Sequence, residues 1–275
     1  MRKICLFYIL ILVSLLPLQA QDFRCGTVVT KRQLQYEKDH ASQRQGFPAP
    51  DLCLKKTLSV YMHFITDSLN ACGISQTDVT DALTALNLDF APMCLQFKIC
   101  QQDTIYAYKY DKFDTLTELQ EIKNLYVKPN VINVFVMTSI NPGADAGLAS
   151  FTEDWILLNK ASFATPWKTW SHEMGHFFSL YHTFETSFGN ELVNGSNCAT
   201  TGDLLCDTEA DITTPNFASG SCNYTDLSTD SQGNQYTPII GNIMSYHPGT
   251  CKSPFTVQQL NKMAGYYISY RNYLY

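Results

Sequence analysis

The chain has 275 residues, enough for one large domain or for a domain preceded by a pro-segment. Hydrophobic residues make up 45% and aromatics 13%, so a sizeable core can be buried. The formal net charge is −6 and there is no Lys/Arg-rich block, which removes the electrostatic basis for nucleic-acid binding. The N-terminus carries Arg2 and Lys3, an apolar run from Ile4 to Leu16, and a small residue at Ala20. That is the pattern of a secretory signal peptide, residues 1–20, cut after Ala20. The run is short for a bilayer span, so no membrane span is expected once it is removed.

Residues 21–56 are polar, without strong periodicity, and read as a loosely structured leader. SVYMHFI (59–65) alternates and predicts a strand. Residues 75–90 begin with Ser75-x-x-Asp78, a capping pattern, and place Val79, Leu83 and Leu86 at helical spacing. CLQFKIC (94–100) and TIYAYKY (104–110) read as neighbouring strands, and 117–126 as a second helix. VINVFVM (131–137) is β-branched and apolar throughout, the pattern of a buried strand. A turn-rich loop, 141–150, leads to an edge strand around AGLASF (146–151), and DWILLN (154–159) is a further strand. Pro166 lies near the start of a helix carrying TWSHEMGHFFSL. From His182 to about residue 238 the chain is rich in Gly, Asn, Ser, Thr, Asp and Cys and shows little periodicity. A closing helix spans 255–270, with Thr256 as N-cap.

Ten cysteines are present, at 5, 25, 53, 72, 94, 100, 198, 206, 222 and 251. Cys5 leaves with the signal peptide, and the other nine face an oxidising setting where disulfides form. Nine is odd, so at least one thiol is unpaired or pairs outside the chain.

The chemistry concentrates in HEMGHFFSLYH (172–182). His172 and His176 stand one turn apart on one helix face, within reach of a single ion. Glu173 is rotated by about 100° from His172, beside the ion and off the ligand axis, where a carboxylate can act as general base. An unbroken helix would carry His182 about 240° around and about 9 Å along from His176, out of reach of the same ion. A three-histidine site therefore needs the chain to leave the helix between 176 and 182 through a left-handed residue. The residue at the bend is Ser179, at a cost of roughly 1–2 kcal/mol for a non-glycine residue.

HExxH followed by xxGxxH is the metzincin zinc signature, and His172, Glu173, His176 and His182 match it, with Ser179 in place of the glycine. GNIMSYHPGTC (241–251) resembles the Met-turn, with Met244 as the apolar floor beneath the metal and Tyr246 as a candidate oxyanion donor. Together with GDLLCDTEAD (202–211) and FTVQQLNKM (255–263), these stretches resemble the pappalysin family of metzincins over about residues 130–275. Asp207-Thr208-Glu209 stands where that family usually has Asp-Thr-Pro. The resemblance implies an α+β metzincin-type fold: a mixed twisted sheet, an active-site helix, a loop-rich C-terminal subdomain and a C-terminal helix. It implies a catalytic domain over 57–275, with an upper subdomain to about 182 and a lower one over 183–275, preceded by a pro-segment over 21–56. It implies one catalytic Zn2+ on His172, His176 and His182, Glu173 and Tyr246 as catalytic residues, and Met244 in the Met-turn. RCGT (24–27) resembles the pro-segment motif that holds pappalysins latent, with the Cys25 thiolate on zinc; the alternative is a disulfide from Cys25 to Cys53 or another N-terminal cysteine. The resemblance further suggests the pairs Cys198–Cys222 and Cys206–Cys251. Ca2+ is a candidate structural ion in the same loop, with Asp203, Asp207 and Asp211 as candidate donors, although a solvated acidic loop explains them equally well.

The expected function is thus a secreted, extracellular zinc endopeptidase, a monomer acting on protein or peptide substrates. The alternative is a non-catalytic zinc-stabilised binding or adhesion module, which Glu173 disfavours because a structural site needs no base. A gluzincin-type site with Glu185, Glu191 or Glu209 as third ligand is a second alternative, disfavoured by His182 and Met244. His40 and His63 read as non-ligands, His63 packed or on the surface. His247 is read as exposed or as touching substrate, and the aspartates of DKFD as surface groups.

Overall fold

The computed structural model of the chain describes residues 25–39, 53–66, 73–113, 116–141, 145–165, 168–213, 215, 217 and 221–275. The expected signal peptide, His40, Cys72, Asp114 and Pro166 lie outside them. In chain order the elements are α1 (Lys31–Asp39), β1 (Lys56–Thr66), α2 (Gln76–Phe90), β2 (Leu95–Tyr106), α3 (Tyr108–Asp111), β3 (Lys112–Phe113), α4 (Leu116–Tyr126), β4 (Ile132–Met137), β5 (Ser139–Ile140), β6 (Gly147–Ala149), β7 (Trp155–Asn159), α5 (Lys168–Phe177) and α6 (Val257–Tyr266). Among the described residues, no helix is long and apolar enough to cross a membrane.

Five strands form one sheet in the order β2-β1-β4-β7-β6. The pairs β1–β2, β1–β4 and β4–β7 are parallel, and β6 joins β7 antiparallel as the edge, which makes the sheet mixed and the fold α+β. Every residue of β4 is buried because both of its faces are covered, which explains its uninterrupted apolar run. Alternation sends Ile132, Val134 and Val136 into one core, shared with Leu86 of α2, Trp170, Met174 and Phe177 of α5, and Met263 of α6. Phe135 and Met137 enter the opposite core with Leu119 and Ile122 of α4. The helix α5 is thus packed into one core with the sheet, α2 and α6.

Three expectations change. The two strands read at 94–100 and 104–110 are one twelve-residue strand, followed by the short α3. No turn residue interrupts it, and a bulge at Cys100 of β2, opposite the Val60–Tyr61 step of β1, absorbs the irregularity. The leader contains α1. Thr30 and Gln33 cap its start, with Gln33 Oε1 accepting from Thr30 N at 2.6 Å, and docking completes it: Tyr181 donates to Glu37 at 2.8 Å, and Tyr36 packs edge-on against Tyr270. Asp111 of DKFD is buried, bound by Lys160 at 2.9 Å and by Thr138 N at 3.0 Å.

From Thr183 to Pro248 the described chain has no helix or strand beyond isolated bridges, and its order rests on side chains and disulfides. The pairs there are Cys198–Cys206 and Cys222–Cys251, replacing the expected Cys198–Cys222 and Cys206–Cys251. The reason is local: turns over 195–204, with Cys198 N on Gly195 O and Leu204 N on Thr201 O, fold the chain back so that Cys198 and Cys206 stand 5.1 Å apart at Cα, within bridging range. Cys53 pairs with Cys94, leaving Cys25 and Cys100 as the free thiols among the described residues. The C-terminal end is fastened by Arg271. Its guanidinium donates to Asp154 at 2.6 Å and to the Ser150 and Glu153 carbonyls at 3.1 Å, and lies 3.5 Å from the Phe177 ring centroid at the end of α5.

Candidate metal centre

The helix α5 ends in a Schellman motif. Ser179 has φ +74°, Ser179 N donates to His176 O at 2.8 Å, and Leu180 N donates to Gly175 O at 2.9 Å. The left-handed residue that the spacing requires is therefore the serine, and the turn it makes brings His182 back over the helix.

The Nε2 atoms of His172, His176 and His182 converge, at 3.1 Å (172–176), 3.1 Å (176–182) and 3.2 Å (172–182). His172 Nδ1 faces Ile243 O at 2.7 Å and His176 Nδ1 faces Leu180 O at 2.8 Å, so these protons sit on Nδ1 and the Nε2 lone pairs point at one another. Three converging lone pairs repel unless a cation lies between them. Zn–N bonds of about 2.0–2.1 Å in tetrahedral geometry imply nitrogen separations of roughly 3.3 Å, close to this triangle. Burial holds His172 and His182 well below the usual histidine range and lowers His176 to about 3, which keeps the imidazoles neutral, the form that ligates. The donor set fits a zinc ion.

Beside the triangle, Glu173 is fully buried. Its Oε2 accepts from Thr27 Oγ1 at 3.2 Å and Cys25 Sγ at 3.4 Å, while its Oε1 has no hydrogen-bond partner. Burial raises its pKa to about 8, against the lowering effect of those two hydrogen bonds. Space for the carboxylate exists because residue 147 is glycine: a Cβ there would lie 2.5 Å from Glu173 Cγ and Oε1. Cys25 is 7% exposed, is not disulfide-bonded, and with the three histidines forms a group whose ligand atoms all lie within 4.8 Å of one another. Desolvation, then the Glu173 carboxylate, push the thiol well above its usual pKa, so its thiolate needs a nearby cation. Cys25 also bridges to Gly147 on the edge strand, Gly26 N donates to Gly147 O at 2.9 Å, and Thr27 Oγ1 accepts from Ala149 N at 2.8 Å.

The Met-turn closes the site from below. Met244 is fully buried, and Gly175 in α5 lets its sulfur approach: a Cβ at 175 would lie 2.5 Å from Met244 Sδ. Asn242 Oδ1 accepts from Met244 N at 2.9 Å, and Met244 O accepts from Thr183 N at 3.2 Å, which ties the turn to the residue after the third histidine. The Tyr246 ring packs edge-on to His182, and its hydroxyl donates to Cys25 O at 2.8 Å and accepts from Cys25 N at 3.2 Å.

Sequence reasoning misplaced several groups and missed others. His247 is buried. Its Nδ1 accepts from Gly241 N and its Nε2 donates to Asp211, each at 3.2 Å, and Asp211 also takes the Thr183 hydroxyl at 2.6 Å. It is a strut between the Met-turn and the ligand loop, neither exposed nor substrate-facing. Asp207 caps α6 through Thr256 and Gln258 N, so of the three candidate aspartates only Asp203 keeps an open oxygen. His63 packs between Tyr61 and Phe135, hydrogen-bonded to Asp103 and Asn133, away from the metal. Glu185 and Glu209 have no place in the ligand cluster, and Glu191 belongs to a separate carboxylate pair. The roles of Gly147, Gly175 and Thr27 depend on contacts far along the chain and had no local signal.

Because Ser179 occupies a glycine conformation, Ser179→Gly should raise stability by about 0.5–1 kcal/mol with zinc content unchanged, whereas Ser179→Val should lower both. Thermal unfolding and metal analysis on the two variants check this.

The comparisons agree with this geometry. A family model described as pregnancy-associated plasma protein-A matches residues 144–267, a span that contains the three histidines, Glu173 and the Met-turn. An extracellular metalloprotease of Sordaria macrospora is 26% identical, covering 91% of this chain and 90% of the relative. One of Pyricularia oryzae is 29% identical, covering 78% and 76%. A promirolysin variant from Tannerella forsythia shares the fold, with a TM-score of 0.61 at 18% identity over 89% of this chain and 93% of that one. Over residues 144–267, the part that carries the site, the chain is similar to this metallopeptidase family, and over most of its length it is similar to extracellular metalloproteases.

Proposed function

We propose that this metallopeptidase is a secreted zinc endopeptidase with His172, His176 and His182 as metal ligands, held latent by its own N-terminal segment. The observation that carries the reading is the triangle of Nε2 lone pairs with a buried carboxylate beside it. Zinc bound there would polarise the scissile carbonyl and lower the pKa of the attacking water to about 7. Glu173 receives the proton of the attacking water at Oε1, the oxygen left without a hydrogen bond, and returns it to the leaving amine. The Tyr246 hydroxyl donates to the oxyanion as it develops. The edge-strand groups Gly147 O and Ala149 N bind the main chain of an extended protein or peptide substrate once Gly26 and Thr27 leave them.

Latency follows from the same contacts. Cys25 supplies the fourth ligand, and residues 25–27 occupy Glu173, Tyr246 and the edge strand together. We assign residues 1–20 as signal peptide, the following segment as leader, and the remainder to 275 as the catalytic domain, its lower part beginning near 183. Lys55-Lys56 is a poor release point. Cys53 is bonded to Cys94, and Leu54 N and Lys56 N donate to Met93 O and Cys94 O, so a cut there leaves the leader covalently attached. The releasing cut belongs upstream of Cys53.

We infer a second cation site at Glu191 and Asp203. Glu191 Oε2 and Asp203 Oδ2 are buried without hydrogen-bond partners, and a side chain at Gly202 would overlie Glu191 Oε2. Asp203 Oδ1 is already held by Leu205 N and Thr208. Hard oxygen donors of this kind suit Ca2+. Burial first, then mutual repulsion for Glu191, raise the pair to about 8 (Glu191) and about 7 (Asp203) from ordinary values of 4.5 and 3.8. Both bind protons more readily folded than unfolded, so their contribution to stability is present below about pH 4 and is lost as pH rises through 7–8.

Three outcomes test these assignments. Glu173→Gln should keep zinc and lose about 10²–10⁴-fold in peptide hydrolysis after leader removal, measured on casein; equal activity would remove Glu173 from the chemistry. Cys25→Ser in the full chain should hydrolyse peptide without processing, where wild type is silent. Ca2+ should raise the melting temperature at pH 8 more than at pH 5, and Asp203→Asn should abolish that difference; a calcium effect that survives the substitution would place the ion elsewhere.

A further inference from the structure

Lys252 is remote in sequence from the histidines and outside the metal-binding motif, yet its side chain ends on the carbonyl that faces His172 Nδ1. Its Nζ donates to Ile243 O at 2.8 Å and to Ser245 O at 2.9 Å, the two carbonyls that flank Met244. Ile243 O also accepts the Nδ1 proton of His172 at 2.7 Å. One Nζ therefore fixes the carbonyl that faces His172 Nδ1 and the carbonyl on the other side of Met244. The carbonyl between them, Met244 O, is held separately by Thr183 N.

The base of the lysine is itself anchored. Cys251 is bonded to Cys222, Ser253 N donates to Gly241 O at 2.6 Å, and Gly241 has φ +100° with no room for a side chain against Cys251 O. The loop carrying Lys252 is thus pinned to the start of the Met-turn, and the side chain spans from that pin to the turn's far end.

We propose that Lys252 is a positioning residue for the metal centre: a hydrogen-bonding clamp that holds the Met-turn carbonyls so that His172 presents Nε2 to the ion. The proposal rests on the zinc reading of the three histidines. A clamp and a bare charge have opposite signs of effect. When protonated, Lys252 lies close enough to oppose positive charge at His172, His176 and His182. As a point charge alone it weakens binding of a dication, and its removal tightens zinc. As a clamp it orients a ligand, and its removal loosens zinc, since outer-shell partners of ligating histidines are worth about 10–100-fold in metal affinity.

The test uses the full chain of wild type, Lys252→Met, Lys252→Gln and Lys252→Arg, with zinc affinity read by competition against a chelator and site geometry by the visible ligand-field bands of the cobalt-substituted protein. The expected result is a loss of about 10–100-fold in zinc affinity for Lys252→Met with shifted cobalt bands, a smaller loss for Lys252→Gln, and recovery to within about threefold for Lys252→Arg, whose fork reaches both carbonyls. Unchanged or tighter zinc binding in Lys252→Met overturns the clamp, as does a fall in melting temperature of the chelated protein with zinc affinity and cobalt bands intact. If Lys252→Met is not recovered folded, Lys252→Gln against Lys252→Arg decides by the same criteria. Failure of wild type itself to bind zinc would overturn the zinc reading instead.

Discussion

Two histidines one turn apart on a helix can share an ion with a third, six residues on, only if the helix stops and the chain turns back within three residues. In this protein that reversal is made by Ser179 at φ +74°, with the Gly175 and His176 carbonyls capped by Leu180 and Ser179 amides. The strain of about 1–2 kcal/mol is small beside the interactions that depend on it. The same turn exposes Leu180 O to His176 Nδ1, so the bend that brings His182 back also orients His176. The tautomer of His172 is set separately, by Ile243 O of the Met-turn.

The half of the molecule after α5 has little secondary structure, and it is ordered by satisfying buried polar groups one at a time. Thr183, Asp211 and His247 link the ligand loop to the Met-turn; Asn242 and Gln259 link the turn to α6; Lys252 closes its far side. Each of these groups would cost free energy if left unpaired in the interior, which makes the arrangement specific without a large apolar core of its own. The two disulfides pin short local loops and leave the long-range geometry to the hydrogen bonds.

The N-terminal segment uses the reactive groups as its own anchors. Cys25 and Thr27 hydrogen-bond Glu173, the Cys25 backbone takes both hydrogen-bonding functions of the Tyr246 hydroxyl, and Gly26 and Thr27 pair with the edge strand. Docking of α1 through Glu37 on Tyr181 adds a contact remote from the metal. A segment held in this way occupies Glu173, the Tyr246 hydroxyl and the edge strand at once.

Spacing alone carried the histidine pair, the need for a left-handed residue at 179, the buried strand β4 and the two capped helices, since each depends on backbone periodicity or on groups within a few residues. The Thr30-x-x-Gln33 cap of α1 was equally local and was overlooked because the helix it starts is polar and is completed by docking. Cysteine pairing, the burial of His247 and Asp111, and the clearance that Gly147 and Gly175 provide could not be read in this way. They depend on which surfaces meet across tens to more than a hundred residues, and a one-dimensional pattern does not encode that. Local chemistry determined what kind of centre this chain can build; packing decided which oxygen, sulfur and nitrogen atoms are free to serve it.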